Sequence, residues 1–221
     1  KAGGLTATLI ASNASSAASH GMFVSMRTLN GFWVAGTPPW NVEWPEMARL
    51  ASRIGYDGVD LPIAGVMRDG PEKTRTLLSE LKLRPGFLGC PVNPFSRDES
   101  AFQTSLRTFP DICQFAAAID CPRLMFRMNS SSDTPKDEWR KITLERVRAM
   151  SETMDRYNVR VGIEFSGPLH YRKQFKYEFI YKVPETMEFC KEAGPNWGLA
   201  LDSWHWYHAG GTVEDILAAG K

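Results

Sequence analysis

The sequence predicts an α/β protein built as a TIM (β/α)8-type barrel, incomplete at its C-terminus. Three observations predict this. Short apolar runs alternate with amphipathic stretches six times along the chain, and strict βα alternation implies a parallel sheet. The units have the length of βαβ crossovers, roughly 30 residues or more. No GxGxxG turn follows the first apolar run, where a doubly wound dinucleotide-binding sheet would carry one. A barrel takes eight strands and about 250 residues. Six units in 221 residues are therefore expected to lack the last two strands. An open six-stranded sheet is the competing arrangement.

The elements follow in order. Phe23 to Leu29 is the first strand. Pro45 opens a helix with Met47, Leu50, Ala51 and Ile54 at helical spacing, and Gly55 ends it. YDGVDLPI is the second strand. Pro71 opens a helix with Leu77, Leu78 and Leu81 on one face. RPGFLGCPV is the third strand. Phe102 to Ile119 is helical in pattern but holds Pro110, so two helices or a kink are expected. RLMFRM is the fourth strand. A charged helix from about Lys136 to Tyr157 turns Val147, Met150 and Met154 inward. VRVGIEF is the fifth strand. A polar insertion, Ser166 to Lys182, precedes a helix opened by Pro184, with Met187, Cys190 and Ala193 on its face. Gly194 and Pro195 stop that helix. WGLALD is the sixth strand, and Thr212 is an N-cap for a last helix.

Residues 1–20 read differently from residues 21–221, the barrel domain. Lys1 to Ser19 hold small and apolar residues, one basic residue at the start and no acid. This is the pattern of the back half of an export signal of the twin-arginine kind, with Ser16-Ala17-Ala18 as the small-residue cleavage site. A disordered tail is the alternative, and then a cytoplasmic location. The apolar run is too short to span a bilayer, so no membrane association is expected.

With 26 basic and 25 acidic residues the net charge is +1. That balance offers little to neutralise a phosphate backbone, so no nucleic-acid partner is expected. Cys90, Cys113, Cys121 and Cys190 form no CxxC pair and have no His at zinc-finger spacing. They read as small buried apolar residues.

In barrels of this type the chemistry lies at the carboxyl ends of the strands. The polar residues there are Arg27, Asp60, Asn93, Arg127 with Asn129, Glu164, and Asp202 with His205. Glu164 stands between Ile163 and Phe165 inside an apolar run, and Asp202 repeats the situation one unit later. A buried unpaired carboxylate is costly. Adjacent strands bring two such groups to about 5 Å, where they repel unless a cation lies between them or one takes a proton. Hard oxygen ligands suit Mg, Mn or a similar ion. Structural acids bonded to a neighbouring Lys or Arg are the plainer explanation. His205 lies three residues past Asp202 and can reach back over the same strand end. Trp204, Trp206 and Tyr207 surround it, as suits the apolar face of a sugar ring.

IEF with Glu164, followed some 40 residues later by LDxxH with Asp202 and His205, resembles the xylose-isomerase-like barrel superfamily. YDGVDLP, ending at Asp60, is similar to that family's second strand. The insertion GPLHYRKQFKYEFIY and the segment LDSWHWYHAGG are most similar to its sugar phosphate isomerase/epimerase-like proteins. The resemblance covers Met22 to the C-terminus. It implies that Glu164 is a metal ligand and the proton-transferring carboxylate, that Asp202 is a second ligand, and that His205 binds a substrate oxygen. Asn93, Arg127 and Trp204 are further candidates for substrate contact. Tyr171, Arg172 and Lys173 of the insertion join Arg127 and Asn129 among the loop groups that would select the substrate. The family completes its site with a His on strand seven and a Glu on strand eight, positions beyond Lys221, so this chain by itself is expected to bind metal poorly.

The expected activity is isomerase or epimerase chemistry by proton transfer next to a carbonyl. The cofactor would be a divalent metal (Mn, Mg or Co, with Zn as a further option), and the substrate a small sugar or polyol. A metal-dependent endonuclease-like phosphodiesterase is an alternative. It would need further histidines early in the barrel and a basic face, and the four histidines are His20, His170, His205 and His208. A non-catalytic sugar-binding barrel is another. Open sheet edges favour association into a homo-oligomer.

Overall fold

A computed structural model describes residues 22–27 and 43–220 and, for the backbone alone, residues 9–11. In chain order the elements are β1 (Leu9–Ala11), β2 (Ser25–Arg27), α1 (Trp44–Ile54), β3 (Gly58–Leu61), α2 (Ile63–Asp69), α3 (Pro71–Glu80) and β4 (Arg84–Gly89). Then follow α4 (Glu99–Leu106), α5 (Phe109–Ala118), β5 (Arg123–Met128), β6 (Ser131–Ser132), α6 (Lys136–Tyr157) and β7 (Arg160–Phe165). The last are α7 (Leu169–Arg172), β8 (Tyr177–Glu178), α8 (Val183–Ala193), β9 (Trp197–Leu201), α9 (Ser203–His208) and α10 (Val213–Ala219).

Six strands run parallel in the spatial order β9-β7-β5-β4-β3-β2, which is sequence order around an arc. Sequential parallel strands joined by outer helices are the arrangement of a barrel wall. Among the described residues, these are six of the eight strands a barrel takes. On the β9 edge, Leu9–Ala11 pairs antiparallel, Leu9 opposite Leu201. That pairing is not legible from the residues themselves, which read as part of a leader. Ser16-Ala17-Ala18 lies outside the described residues.

Alternation along each strand splits the core in two. Leu124, Phe126 and Met128 of β5, with Val161, Ile163 and Phe165 of β7 and Trp197, Leu199 and Leu201 of β9, face the helices and join one large core. Phe95 packs there against Phe126, Phe179 and Phe189, with ring centroids 5.5, 6.1 and 5.6 Å away. The opposite parity faces the barrel interior, where Phe87, Met125 and Ala200 form a small separate cluster. Gly162 sits beside it, and a Cβ there would lie 3.1 Å from the Ala200 methyl. The same inward parity carries Arg127, Glu164 and Asp202 to the carboxyl ends.

The helices follow the expected logic with some shifts of phase. Pro110 marks two helices, α4 and α5. In α6, Val147, Met150 and Met154 are all buried. Asp98 caps α4, its side chain accepting from the Ala101 N–H, and Thr212 with Asp215 forms a capping box on α10. In α1 the buried face is Trp44, Ala48 and Ala51, while Ile54 is 55% exposed. The helix starts at Trp44, whose indole donates to Asp69, and that anchor sets the phase. The insertion Ser166 to Lys182 is less polar than it reads. It carries α7 and the β6–β8 pairing, and buries Phe179 and Ile180. All four cysteines are free thiols, and burial pushes each of them up to about 12. No helix among the described residues is long and apolar enough to cross a membrane.

Candidate functional site

Glu164 ends β7 and Asp202 directly follows β9, and these strands pair in parallel. The sheet thus delivers two carboxylates side by side. One ligand atom each of Glu164, Asp202 and His205 lies within 4.8 Å of the others. Glu164 and His205 are buried, at 6% and 4% exposure.

Each of the three is held by a different device. Glu164 rides on the strand ladder, opposite Arg127 of β5. Asp202 is the N-cap of α9, a short helix invisible in the apolar pattern. Its Oδ1 accepts from the Trp204 N–H at 2.7 Å and the His205 N–H at 3.1 Å. Asp is a favoured cap because its carboxylate satisfies otherwise orphaned N–H groups. The signal was present in the sequence as Asp202 followed by Ser-Trp-His. The first turn of α9 swings His205 back beneath the strand end, and its Nδ1 accepts from the Gly167 N–H at 3.2 Å. A Cβ at Gly167 would lie 1.8 Å from the His205 carbonyl oxygen, so this close approach requires glycine. Ser166, next door, donates its hydroxyl to Met128 O and its N–H to Ser130 Oγ, fixing the loop.

The electrostatics follow from this burial. Removal from water, then the nearby Asp202 carboxylate, push Glu164 up to about 7, while Arg27 and Arg127 pull the other way. Glu164 and Asp202 are close enough to share a proton. Burial also brings His205 down to about 4, so the ring is neutral at pH 7. With Nδ1 accepting from Gly167, the neutral ring carries its proton on Nε2. His205 is then a hydrogen-bond donor toward the site, and the carboxylates are the better metal ligands. Two hard oxygen donors side by side, one of them buried, suit a hard divalent ion.

The other sequence candidates divide. Arg127 is exposed, and its guanidinium lies 5.0 Å over the Tyr171 ring, which stands edge-on 6.0 Å from His205. Trp204, 46% exposed, packs edge-on against His205 at 4.9 Å. Both thus border the carboxylate pair. Asn93 sits in the turn after β4, where its Oδ1 accepts from the Phe95 N–H at 2.9 Å. Asp60 is buried inside the barrel, and burial raises it to about 6 against the Ser25 hydrogen bond and the charge of Arg27. A Cβ at Gly86 would lie 2.0 Å from Asp60 Oδ1. Sequence reasoning missed Gly167, which has no polar side chain to draw attention.

Residues 48–221 match a family described as xylose isomerase-like TIM barrel. No curated protein matches in sequence. Among solved structures, a xylose isomerase domain protein from Alicyclobacillus acidocaldarius is 26% identical, with a TM-score of 0.71 over 81% of this chain and 65% of that one. D-psicose 3-epimerase with D-tagatose, from Clostridium cellulolyticum H10, is 12% identical, with a TM-score of 0.66 over 82% of this chain and 65% of that one. The IolI protein with a bound zinc atom is 16% identical, with a TM-score of 0.65 over 80% of this chain and 63% of that one. The latter two likenesses concern the fold. The chain spans about two thirds of the length of each of these proteins. It belongs to the xylose isomerase-like TIM barrel family.

Proposed function

We propose that this family member is the metal-binding portion of a sugar isomerase or epimerase, in which Glu164 and Asp202 hold a divalent metal and Glu164 moves the proton next to a carbonyl. The observation that carries the reading is the buried carboxylate pair at neighbouring strand ends, with a neutral histidine against it. The zinc bound by the IolI protein and the sugar bound by the D-psicose 3-epimerase support it by likeness of fold.

The chain's own groups suit such chemistry. A general base must be ionised to take its proton; burial and the Asp202 carboxylate hold Glu164 up at about 7 without an ion, and a bound dication would favour the carboxylate the step needs. That carboxylate would accept the proton from the carbon beside the carbonyl. His205 Nε2–H would donate to the substrate oxygen on which negative charge builds, since a neutral donor supplies that bond without competing for the proton. Asp202, fixed by two backbone N–H groups, would hold its free oxygen toward the ion. A bound dication would polarise the carbonyl and draw Glu164 toward its ionised form. Trp204 and Tyr171 would offer ring faces and edges to the apolar side of the substrate.

Exchange of solvent deuterium into ketoses and aldoses, followed by NMR with Mn²⁺ or Mg²⁺ present, tests the proposal. Exchange in the wild type that is lost in Glu164→Gln supports it. A broad sugar panel with no exchange at any carbon beside a carbonyl counts against it.

A further inference from the structure

Arg27 and Arg127 both lie at strand ends on this mouth of the barrel, and neither has an ion pair within 4 Å among the described residues. Arg27 ends β2, in register with Asp60. Arg127 lies near the end of β5, in register with Glu164. These two strands are not neighbours, since β3 and β4 separate them in the sheet. Both charges nevertheless act on the Glu164 carboxylate, and Arg127 stands in register with Glu164 and over the Tyr171 ring that lies edge-on to His205.

Neither guanidinium is used up by the fold. Arg27 Nε is closed off from solvent and has no hydrogen-bond partner among the described residues. A buried donor left without an acceptor is an uncommon cost that calls for an explanation. The Arg127 guanidinium carbon lies 5.0 Å over the Tyr171 ring, a contact that takes up none of its N–H donors. Arg140 and Arg172 also leave one buried nitrogen unpaired, but each is paired with a glutamate, Glu192 and Glu178, whereas Arg27 has no ion pair among the described residues. Arg146 is saturated by Glu99, Pro94 O and Ser96 O, as a structural arginine should be. Arg27 and Arg127 also differ from a repulsive accident. Like charges gathered over one carboxylate, with donors left over, suit an acceptor group that arrives from outside.

We propose that Arg27 and Arg127 form an anion subsite beside the carboxylate pair, so that the substrate is a polyhydroxy carbonyl compound bearing a carboxylate or phosphate rather than a neutral sugar. The proposal rests on the reading of the site as a small-substrate centre, and it narrows the substrate class. Planar N–H forks match carboxylate and phosphate oxygens in pairs. A neutral sugar hydroxyl would accept from only one donor of either fork. A dication held by Glu164 and Asp202 would deepen the preference by tipping the local balance of charge to positive.

The test is binding to the protein as isolated, followed by the fluorescence of the indoles at the site and by calorimetry, with three ligands: D-fructose, D-fructose 6-phosphate and D-gluconate. The same panel is run with and without Mn²⁺. At least one anion is expected to bind ten-fold or more tighter than D-fructose. Which anion wins separates a phosphate from a carboxylate substituent. In Arg127→Gln, an exposed position that should not disturb folding, the anion-to-neutral ratio should fall to within about three-fold of one. Arg27→Lys, which keeps charge but loses the fork, should reduce the ratio less than Arg27→Gln. Equal binding of D-fructose and both anions, or a preference unaffected in Arg127→Gln and Arg27→Gln, overturns the anion subsite and leaves the sugar-binding reading standing. Failure of all three ligands to bind overturns both.

Discussion

Replacing Glu164 by glutamine should stabilise the metal-free protein, by an amount that grows as pH rises from about 4.5 to about 7. Burial and the neighbouring Asp202 carboxylate carry Glu164 from an ordinary 4.5 to about 7. The fold therefore prefers the protonated acid. Its stability contribution is full below about pH 4.5 and is lost as pH rises to about 7, because the unfolded chain gives up that proton earlier. At 1.36 kcal/mol per pH unit the ionised form costs about 3 kcal/mol. Glutamine has nearly the same shape, stays neutral, and can donate its amide to Asp202 at every pH. Chelator-treated wild type and Glu164→Gln should agree within about 1 kcal/mol in urea unfolding at pH 5. At pH 8 the variant should be about 3 kcal/mol more stable, about 6–12 °C in Tm for a chain of this size. A site built around a costly charge that is useful only with its ion would behave this way. A difference that does not change with pH, or a variant less stable at pH 8, would refute the reasoning, because Glu164 would then be satisfied without a cation.

Asp202 serves two purposes that a pair of substitutions can separate. Asp202→Ser keeps an N-cap hydroxyl for α9, whereas Asp202→Ala loses it, so the alanine variant should be less stable by about 1 kcal/mol. Both should lose metal binding equally, and metal titration beside thermal melts reads the two effects apart. Asp60 makes a second pH-dependent prediction. Burial raises it from 3.8 to about 6, so its stabilising contribution is lost between about pH 4 and pH 6, roughly 3 kcal/mol. His205, lowered to about 4 by burial, contributes in the opposite sense as pH rises from about 4 to 6.5. Wild type and Asp60→Asn must therefore be compared at matched pH, where the variant should gain relative stability from pH 4 to pH 7.

How much of this was legible in the sequence follows from where each constraint resides. Glu164 and Asp202 were visible because each sits at the end of an apolar run, where a charge has no local reason to be. Strand adjacency then required only that β7 and β9 pair, which successive βα units in a barrel do. His205 was placed near them by its spacing alone, but its tautomer was not readable. That depends on the Gly167 N–H, 38 residues away in sequence. Arg27 looked like any polar residue ending a strand. Its unpartnered Nε emerges only once β2 curls round to share the mouth with β5 and β7. The short helices α2 and α9 escaped because six or seven residues hold too few turns to show a period. Asp202 therefore read as a ligand and not also as a helix cap. Phe179 and Ile180 hid in a polar insertion because their burial depends on packing against Phe95 and on the β6–β8 pairing. Leu9–Ala11 was legible as apolar but not as a strand, since its partner, β9, is nearly 190 residues later.

Mn²⁺ titration followed by electron paramagnetic resonance reads out whether Glu164 and Asp202 bind a divalent metal. One saturable site is expected, weak in this 221-residue chain because the two carboxylates supply few of an ion's ligands. Glu164→Gln and Asp202→Ser should each weaken that site at least ten-fold. Absence of binding up to millimolar Mn²⁺, or a site equally strong in both variants, would contradict metal binding by this pair.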